Sequence, residues 1–264
     1  MSSEQMEKSG VSRPRLQVKL AHSDEEILAT QRLRYRVFAE EMGAEVHTVA
    51  PEVEADGYDP HCQHLLVLDG ASGRVVSSTR ILTSQMVART GGFYSESEFD
   101  IGGILRMPGN FMEMGRTCVD PDFRSGAAIG MLWAGLAQFI ELNRIDYLIG
   151  CASIPMQDGG VLAHGIMREL RAHHMAPDHL RVTPKRPLPA MDDALLDGPA
   201  PAMPPLLKAY LRVGAWACGE ACWDPDFQVA DVFVMLDVDN LQQRYVRHFL
   251  RGQGNQRPAY ALAS

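Results

Sequence analysis

Hydrophobic positions in the middle of the chain first follow a strand pattern and then recur at helical spacing. The stretch from Met112 to Val119 has the character of a strand, and Pro121 ends it. A turn of small residues follows, Arg124-Ser-Gly-Ala-Ala. Beyond it, apolar side chains recur every three or four residues at Ile129, Leu132, Trp133, Leu136, Phe139 and Ile140. The pattern predicts a strand, a glycine turn and a helix, and the amino end of such a helix is suited to bind an anion.

Further hydrophobic patterns predict elements on both sides of this βα unit. A capping box, with Ser23 at the N-cap and Glu26 at N3, predicts a helix with apolar residues from Ile27 to Phe38. Apolar runs on either side of a glycine turn predict a hairpin from His64 to Leu82. The other predicted elements are strands at Gln17–Leu20, Asp146–Ser153 and Val229–Val238, and helices at Gln157–His174, after Pro204 and at Asn240–Leu250.

Proline marks a change of composition late in the chain. Half of the 16 prolines lie between Ala176 and Pro205, and this stretch is interpreted as a long surface excursion. The stretch from Thr90 to Leu105 is rich in glycine and aromatic residues, and is interpreted as a loop or broken helix over a site. A length of 264 residues suits a single α/β domain with an insertion.

Charge and cysteine usage exclude several classes of protein. A net charge of −8 argues against non-specific nucleic-acid binding and against a basic membrane-binding surface. The polar N-terminal residues lack a signal-peptide core, and no run approaches the roughly 18 apolar residues of a spanning helix. The five cysteines are scattered, which is typical of reduced thiols in the cytoplasm. Cys218-x-x-x-Cys222 lacks a second ligand pair, so no metal site is predicted.

Charged residues in three places are candidates for chemistry. Glu113 and Arg116 lie at odd spacing on the central strand, so they share a face only if the strand bulges. A bulge would also leave a backbone N–H free to stabilise an oxyanion. The alternative is an ordinary βα unit whose Glu and Arg pair on the surface.

The other two candidates precede the hairpin. The acidic run from Glu52 to Pro60 is either a solvated loop or a carboxylate cluster for a cationic substrate. On the first helix, Arg34 and Phe38 lie at i and i+4, which places a cation beside an apolar wall.

The order of the predicted elements resembles the GNAT N-acyltransferase fold. Several positions are also similar, in the same order, to those of the acyl-homoserine-lactone synthases: Arg34, Phe38, Asp56, Asp59, Arg80, Glu113 and Arg116. The chain departs from those synthases at Ala44, about where they carry a tryptophan, and in the long segment Gln157–Phe227.

Four motifs, two of them in that long segment, resemble the L-ornithine Nα-acyltransferases. They are Pro204-Pro-Leu-Leu-Lys-Ala-Tyr-Leu-Arg-Val-Gly-Ala, Trp223-Asp-Pro-Asp-Phe-x-x-Ala-Asp-Val-Phe, Phe93-Tyr-Ser-Glu-Ser-Glu-Phe-Asp and Ile149-Gly-Cys-Ala-Ser. The resemblance implies an α/β protein with a GNAT fold, in which helices flank a mixed central sheet. It implies one domain over residues 15–250, a helical and proline-rich insertion at 156–228 before the last strand, and tails at 1–14 and 251–264.

This resemblance implies transfer of a (3-hydroxy)fatty acyl group from an acyl carrier protein thioester to the α-amine of L-ornithine, which yields lyso-ornithine lipid. Glu113 is expected to act as general base and Arg116 to hold Glu113 or the substrate carboxylate. The alternative to a general base is that Glu113 forms an ion pair with Arg116 and only orients it. Arg34 and Arg80 are further candidates to bind the substrate carboxylate. Asp56 and Asp59 are candidates to bind the distal ammonium. The acyl tunnel would be lined by Phe38, Phe93 and Phe99, unless these rings belong to the ordinary hydrophobic core.

The acyl donor is expected to lie along the strand and the glycine turn. The backbone at Cys118 and Val119 would stabilise the oxyanion, and the phosphate would be held by Arg124 and the amides of Ser125, Gly126, Ala127 and Ala128. Because Arg124 is followed by Ser-Gly-Ala-Ala, the loop departs from the usual pyrophosphate pattern. A carrier-protein donor therefore fits better than coenzyme A, although coenzyme A stays open. No cofactor is expected beyond the phosphopantetheine thioester of the donor.

The expected partner, acyl carrier protein, is acidic, and a basic segment is its predicted dock. The segment contains Arg168, Arg171, Arg181, Lys185 and Arg186, and its alternative is a solvated basic face. The expected location is the cytoplasm, with peripheral contact with the inner membrane through the product. The competing functions are another long-chain N-acyl amino acid synthase, an acyl-homoserine-lactone synthase and a non-catalytic carrier-protein binding module.

Overall fold

A computed structural model describes residues 16–196 and 201–241. The tails predicted at residues 1–14 and 251–264 lie outside these ranges, as does the helix predicted at Asn240–Leu250 beyond its first two residues. Within the described ranges, every helix is too short or too polar to cross a membrane.

The described fold is built on one mixed sheet. Its strands are β1 (Leu16–Leu20), β2 (Gln63–Asp69), β3 (Val75–Thr83), β4 (Phe111–Val119), β5 (Tyr147–Pro155), β6 (Trp216–Ala217), β7 (Cys222–Asp224) and β8 (Val229–Asp237). The order across the sheet is β1-β2-β3-β4-β5-β8-β6, and β7 also pairs with β8. The pairing of β4 with β5 is parallel, and the other pairings in the sheet are antiparallel. The mixed α/β sheet expected from the sequence is confirmed.

Helices cover both faces of the sheet. They are α1 (Asp24–Tyr35), α2 (Ala127–Asn143), α3 (Val161–His173) and α4 (Pro205–Val213). Alternate residues of a strand point to opposite faces. Leu65 and Val67 of β2 accordingly join the core beneath α2, whereas Leu66 packs with Leu33 and Val37 on the side of α1.

The first helix begins as the sequence predicts but ends differently. Ser23 is the N-cap and accepts a hydrogen bond from the Glu26 amide, while the Glu26 carboxylate accepts one from the His22 amide. From Arg36 to Glu41 the chain continues as a π-helix. The wider turn changes the angular spacing of side chains beyond Tyr35.

Strands β4 and β5 pair only at their beginnings. Phe111–Glu113 pairs with Tyr147–Ile149, and β5 then stays paired with β8 along its full length. At the end of the pairing the backbones are close, since a Cβ on Gly150 would lie 2.4 Å from the carbonyl oxygen of Met114. This explains the glycine at that position. Beyond Gly150 the two strands diverge.

The late proline-rich segment packs more than the sequence predicts. Ala176, Leu180 and Val182 are buried with Phe99 in a second core cluster. Thr183–Pro184 also pairs with Phe99–Asp100 in a small separate sheet. The predicted surface excursion is therefore wrong for this first part, where apolar residues between the prolines supply contacts. The predicted insertion at 156–228 contains β6 and β7, which join the main sheet.

Candidate active site

A cavity of about 830 Å³ opens where β4 and β5 diverge. Its walls are residues Glu113 to Val119 of β4, Cys151 and Ser153 of β5, and side chains from α2, α4 and β8. Apolar residues of the two helices form one side, among them Ile129, Trp133, Leu206 and Tyr210. A mainly apolar cavity with a few charged groups at one end is typical of a binding site for an organic ligand.

Glu113 is the last residue of β4 that pairs with β5, and it lines this cavity. The side chain is buried, and its carboxylate accepts hydrogen bonds from the backbone amides of Tyr94 (2.6 Å) and Ser95 (2.7 Å). The Ser95 hydroxyl donates a further hydrogen bond of 2.5 Å. Burial raises the pKa of Glu113, although the hydrogen bonds from Ser95 and Tyr94 act in the opposite direction. A buried carboxylate with a raised pKa is suited to accept a proton near neutral pH.

Strand β4 has a bulge just beyond Glu113. Ser78 of β3 pairs with Cys118 and Arg80 with Gly115, so two residues of β4 lie opposite one residue of β3. Arg116 takes a positive φ of 52° at this bulge. The bulge on which the sequence argument depended is present, and it turns Arg116 toward the cavity.

Arg116 and Glu113 bind different partners. The Arg116 guanidinium donates to Glu54 (3.1 Å) and Asp56 (3.4 Å) and lies 4.9 Å from the ring centroids of both Tyr94 and Phe227. Neither charged group is on the surface, so the alternative of an exposed Glu–Arg pair is wrong.

Three arginines and three carboxylates form an arginine–carboxylate network beside the cavity. Its members are Arg34, Arg80, Arg116, Glu54, Asp56 and Asp59. Arg34 is fully buried and binds Asp59 through both oxygens (2.6 and 2.7 Å), together with the Glu54 carboxylate. Arg80 binds Asp56 at 2.5 Å and also lies 3.5 Å from Asp59.

Charge compensation in this network lowers the pKa values of Asp56 and Asp59. Burial alone would raise the pKa of Asp59, but the hydrogen bond and charge of Arg34 and the charge of Arg80 outweigh it and lower the pKa. Burial also opposes the shift at Asp56, whose pKa Arg80 and Arg116 lower. The acidic run is thus a buried carboxylate cluster and not a solvated loop, and its positive partners belong to this chain. Glu54 also belongs to this network, although it was not among the site residues predicted from the sequence.

The predicted donor site lies partly on the cavity wall. Cys118, Val119, Arg124 and Gly126 line the cavity, and Gly126 is the N-cap of α2 with a φ of 94°. Arg124 is half-exposed, pairs with Glu41 at 2.7 Å and donates to the Val119 carbonyl. Ser125 and Ala127 are exposed next to this point, while Ala128 is buried in the core.

The three predicted tunnel aromatics separate into two groups. Phe38 lines the cavity and packs edge-on against Phe227, with ring centroids 5.9 Å apart. Phe93 and Phe99 belong to the second core cluster. Sequence reasoning also missed Ser95, although its motif was noted, because the contact with Glu113 spans 18 residues and depends on the fold.

Sequence comparison finds close relatives along nearly the whole chain. An L-ornithine N(alpha)-acyltransferase of Rhodobacter capsulatus is 36% identical over 247 residues, covering 89% of this chain and 95% of the relative. A protein with the same description from Rhizobium meliloti is 37% identical over 254 residues, covering 89% and 84% of the two chains. The family model for the acetyltransferase (GNAT) domain matches residues 33–134.

Solved structures with the same fold include acyl-homoserine lactone synthases. The CoA-dependent synthase BjaI, solved with SAM and isopentyl-CoA, aligns with a TM-score of 0.56 at 15% identity, covering 92% of both chains. The CoA-dependent synthase MesI aligns with a TM-score of 0.52 at 15% identity, covering 94% of this chain and all of the other. These structures establish the GNAT fold. The sequence relatives show that this chain is an acyltransferase belonging to the L-ornithine Nα-acyltransferase family.

Proposed function

We propose that this protein transfers a (3-hydroxy)fatty acyl group from an acyl carrier protein thioester to the α-amine of L-ornithine, forming lyso-ornithine lipid. The observation that carries the proposal is the position of Glu113. A buried proton acceptor stands where β4 and β5 diverge, at the charged end of a largely apolar cavity. Family membership supplies ornithine as the acceptor and an amide as the product.

In the proposed reaction, Glu113 takes a proton from the α-ammonium of ornithine, directly or through water. The free amine then attacks the thioester carbonyl and forms the new C–N bond, and a backbone N–H at the bulge near Cys118 and Val119 stabilises the oxyanion. Collapse of the tetrahedral intermediate breaks the C–S bond. The pantetheine leaves as a thiol that takes one of the two amine protons, and the other stays on the amide nitrogen. The reaction balances with donor and acceptor alone, so we propose no cofactor.

Substrate groups are assigned to opposite parts of the cavity. The acyl chain lies against the apolar residues of α2 and α4, and the pantetheine phosphate lies at Arg124 and the first-turn amides of α2. Arg80 and Arg116 line the cavity and are the cations closest at hand for the ornithine carboxylate, whereas Arg34 is enclosed by Asp59 and Glu54. Acyl carrier protein is the proposed partner, and the lipid product would bring the enzyme into peripheral contact with the membrane.

One assay tests the proposal. The purified protein is incubated with 3-hydroxyacyl–acyl carrier protein, and separately with the corresponding acyl-CoA, in the presence of a panel of amino acids. Products are identified by mass spectrometry. We expect Nα-acylornithine from the carrier-protein donor. Formation of another N-acyl amino acid in place of acylornithine would favour the more general synthase, and an absence of acyl transfer to every amino acid would contradict the proposal.

A further inference from the structure

Three carboxylates outside the arginine–carboxylate network meet at the cavity wall. Glu98, Asp224 and Asp231, called the acidic cluster below, each place one oxygen within 4.8 Å of the others. Asp224 and Asp231 line the cavity that Glu113 reaches. In the part of the chain that the structure describes, no lysine, arginine or histidine forms an ion pair with any of the three. This distinguishes the acidic cluster from Asp56 and Asp59, which are already paired with arginines.

One oxygen of the buried Glu98 carboxylate has no hydrogen-bond donor in the described structure. The side chain is only 9% exposed, and the oxygen without a donor is Oε2. Its neighbours differ in this respect. Asp231 accepts from the Ser153 hydroxyl at 2.6 Å, and Asp224 accepts from the Asp226 amide at 2.9 Å. A buried carboxylate oxygen without a donor is destabilising, so it points to a cationic ligand that completes the site.

The titration of the acidic cluster agrees with this geometry. Burial, and then the charge of Asp231, raise the pKa of Glu98. Burial likewise raises the pKa of Asp231, with a further contribution from Asp224. Ionising these carboxyl groups in the folded protein therefore costs free energy, and a bound cation would lower that cost.

A short chain of contacts links the acidic cluster to Glu113. The Ser95 hydroxyl that donates to Glu113 also lies 3.4 Å from the sulfur of Cys151. Ser153 is two residues further along the same face of β5, a step of about 7 Å, and it binds Asp231. Ornithine carries one amino group at each end of a short carbon chain, so it has a second amine to place away from Glu113.

We propose that Glu98, Asp224 and Asp231 bind the side-chain ammonium of the acceptor amino acid and so present its α-amine to Glu113. This inference rests on the proposed function, since it names the part of the protein that selects a diamino acid. An ammonium group has three N–H donors and no acceptor, which matches three carboxylate oxygens facing one point.

The test compares L-ornithine with L-norvaline, which has the same carbon skeleton without the terminal amine. Initial rates of acylation give kcat/KM for both acceptors in wild type, Asp231→Asn and Glu98→Gln. We expect wild type to prefer ornithine by about 10- to 100-fold, the usual range for one charged hydrogen bond. Both variants should lose most of this preference through a lower value for ornithine, while the value for norvaline changes little.

Two further variants serve as controls. Asp226→Asn removes an exposed carboxylate from the turn that follows β7 and should behave as wild type. Asp56→Asn tests whether a carboxylate of the arginine–carboxylate network binds the ammonium instead. Each substitution removes a buried charge, and Glu98 and Asp231 lie on different elements. At least one of the two variants should therefore retain the fold, which thermal unfolding measures.

A second readout needs no acyl donor and so separates this inference from the proposed function. Ornithine, but not norvaline, should raise the Tm of wild type and should fail to raise that of Asp231→Asn. The inference is overturned if both cluster variants keep the preference for ornithine, or if Asp56→Asn alone abolishes it. It is also overturned if Mg²⁺ or Ca²⁺ raises the Tm through Asp231 while ornithine has no effect. Ornithine-dependent stabilisation without any acyl transfer would support the acidic cluster and contradict the proposed function.

Discussion

At the scale of single residues, Glu113 both holds the segment around Tyr94 and faces the cavity. Its three hydrogen bonds come from Tyr94 and Ser95, so a substitution can disturb this segment as well as remove a base. The two effects are separable, because Ser95 can lose its hydroxyl while the carboxylate stays in place.

Glu113→Gln should lower kcat by about 10²- to 10⁴-fold, the range for loss of a positioned base, because an amide does not accept the proton. Steady-state kinetics with a saturating donor measure this, and circular dichroism confirms the fold. Ser95→Ala keeps the base and loses one anchor of the segment, so it should retain most of the turnover. Near-native kcat in Glu113→Gln would contradict the assignment of the base.

Ser95→Ala should move the acidic limb of the kcat/KM profile to higher pH. Burial raises the pKa of Glu113 and the Ser95 hydroxyl lowers it, so removing the hydroxyl raises the pKa further. Activity requires the ionised base and is lost as pH falls through this pKa, which gives the direction of the shift. The control is Ser97→Ala, since the Ser97 hydroxyl donates to the Tyr94 carbonyl. An unchanged acidic limb in Ser95→Ala would show that the limb reports another group.

The site residues that could be predicted from the sequence are those that lie near each other along the chain. Glu113 and Arg116 stand on one strand, and Asp56 and Asp59 in one turn, so spacing and resemblance found them. Ser95 and the acidic cluster were missed as site residues because their contacts join distant segments. Asp231, for example, meets Ser153 across 78 residues, through the pairing of β5 with β8.

At the scale of elements, the acidic cluster joins the segment before Phe99 to β7 and β8. A carboxyl group whose pKa is raised in the folded state stabilises the fold below its ordinary pKa. That stability is lost as pH rises through the raised value. Glu98 and Asp231 both have raised pKa values, so their contribution falls from the ordinary carboxyl range, about pH 4, toward neutral pH.

Asp231→Asn should therefore be more stable than wild type at neutral pH, and the difference should shrink as pH falls toward about 4. The groups facing Asp231 are Glu98, Asp224 and, at longer range, Arg116, and Cys151 lies beside them. His64, whose pKa burial lowers, affects both proteins alike and cancels in the difference. Urea unfolding of wild type and variant across this pH range measures the effect. A constant difference would contradict the raised pKa values.

Regular elements with strong periodicity were predicted to within a few residues. The strand predicted at Met112–Val119 is Phe111–Val119, and the one predicted at Val229–Val238 is Val229–Asp237. The short strands β6 and β7 were not predicted, because two or three residues carry no periodic pattern and only the neighbouring β8 orders them. The π-helix after α1 was missed for a similar reason, since its apolar positions fit an α-helical pattern equally well.

At the scale of the whole molecule, the basic segment proposed as a carrier-protein dock is partly neutralised. Arg171 pairs with Glu220 at 2.6 Å and Arg181 with Asp178 at 3.3 Å, both on the surface. Arg168 is exposed on α3. The dock stays a prediction, and Arg168 is the residue on which it depends most.

Reversing charge with Arg168→Glu and Arg171→Glu should lower kcat/KM for acyl–acyl carrier protein at low salt. The deficit should shrink at 1 M salt, where the Debye length is about 3 Å. Turnover of a small acyl-pantetheine donor should stay nearly unchanged, because it needs no docking surface. A salt series with both donors measures this, and Arg89→Glu, outside the segment, is the control. Equal effects on both donors would place the dock elsewhere.

The arginine–carboxylate network also limits which substitutions this sequence can accept during evolution. Losing either Arg34 or Asp59 leaves the buried network with one uncompensated charge, and such a charge typically destabilises a protein by about 3–5 kcal/mol. Losing both leaves two arginines and two carboxylates that still balance. Arg34→Leu with Asp59→Leu should therefore unfold at a higher urea concentration than either single variant, and lower stability in the double variant would contradict this. Substitutions in this network should therefore be accepted in pairs, in which an arginine and a carboxylate are replaced together.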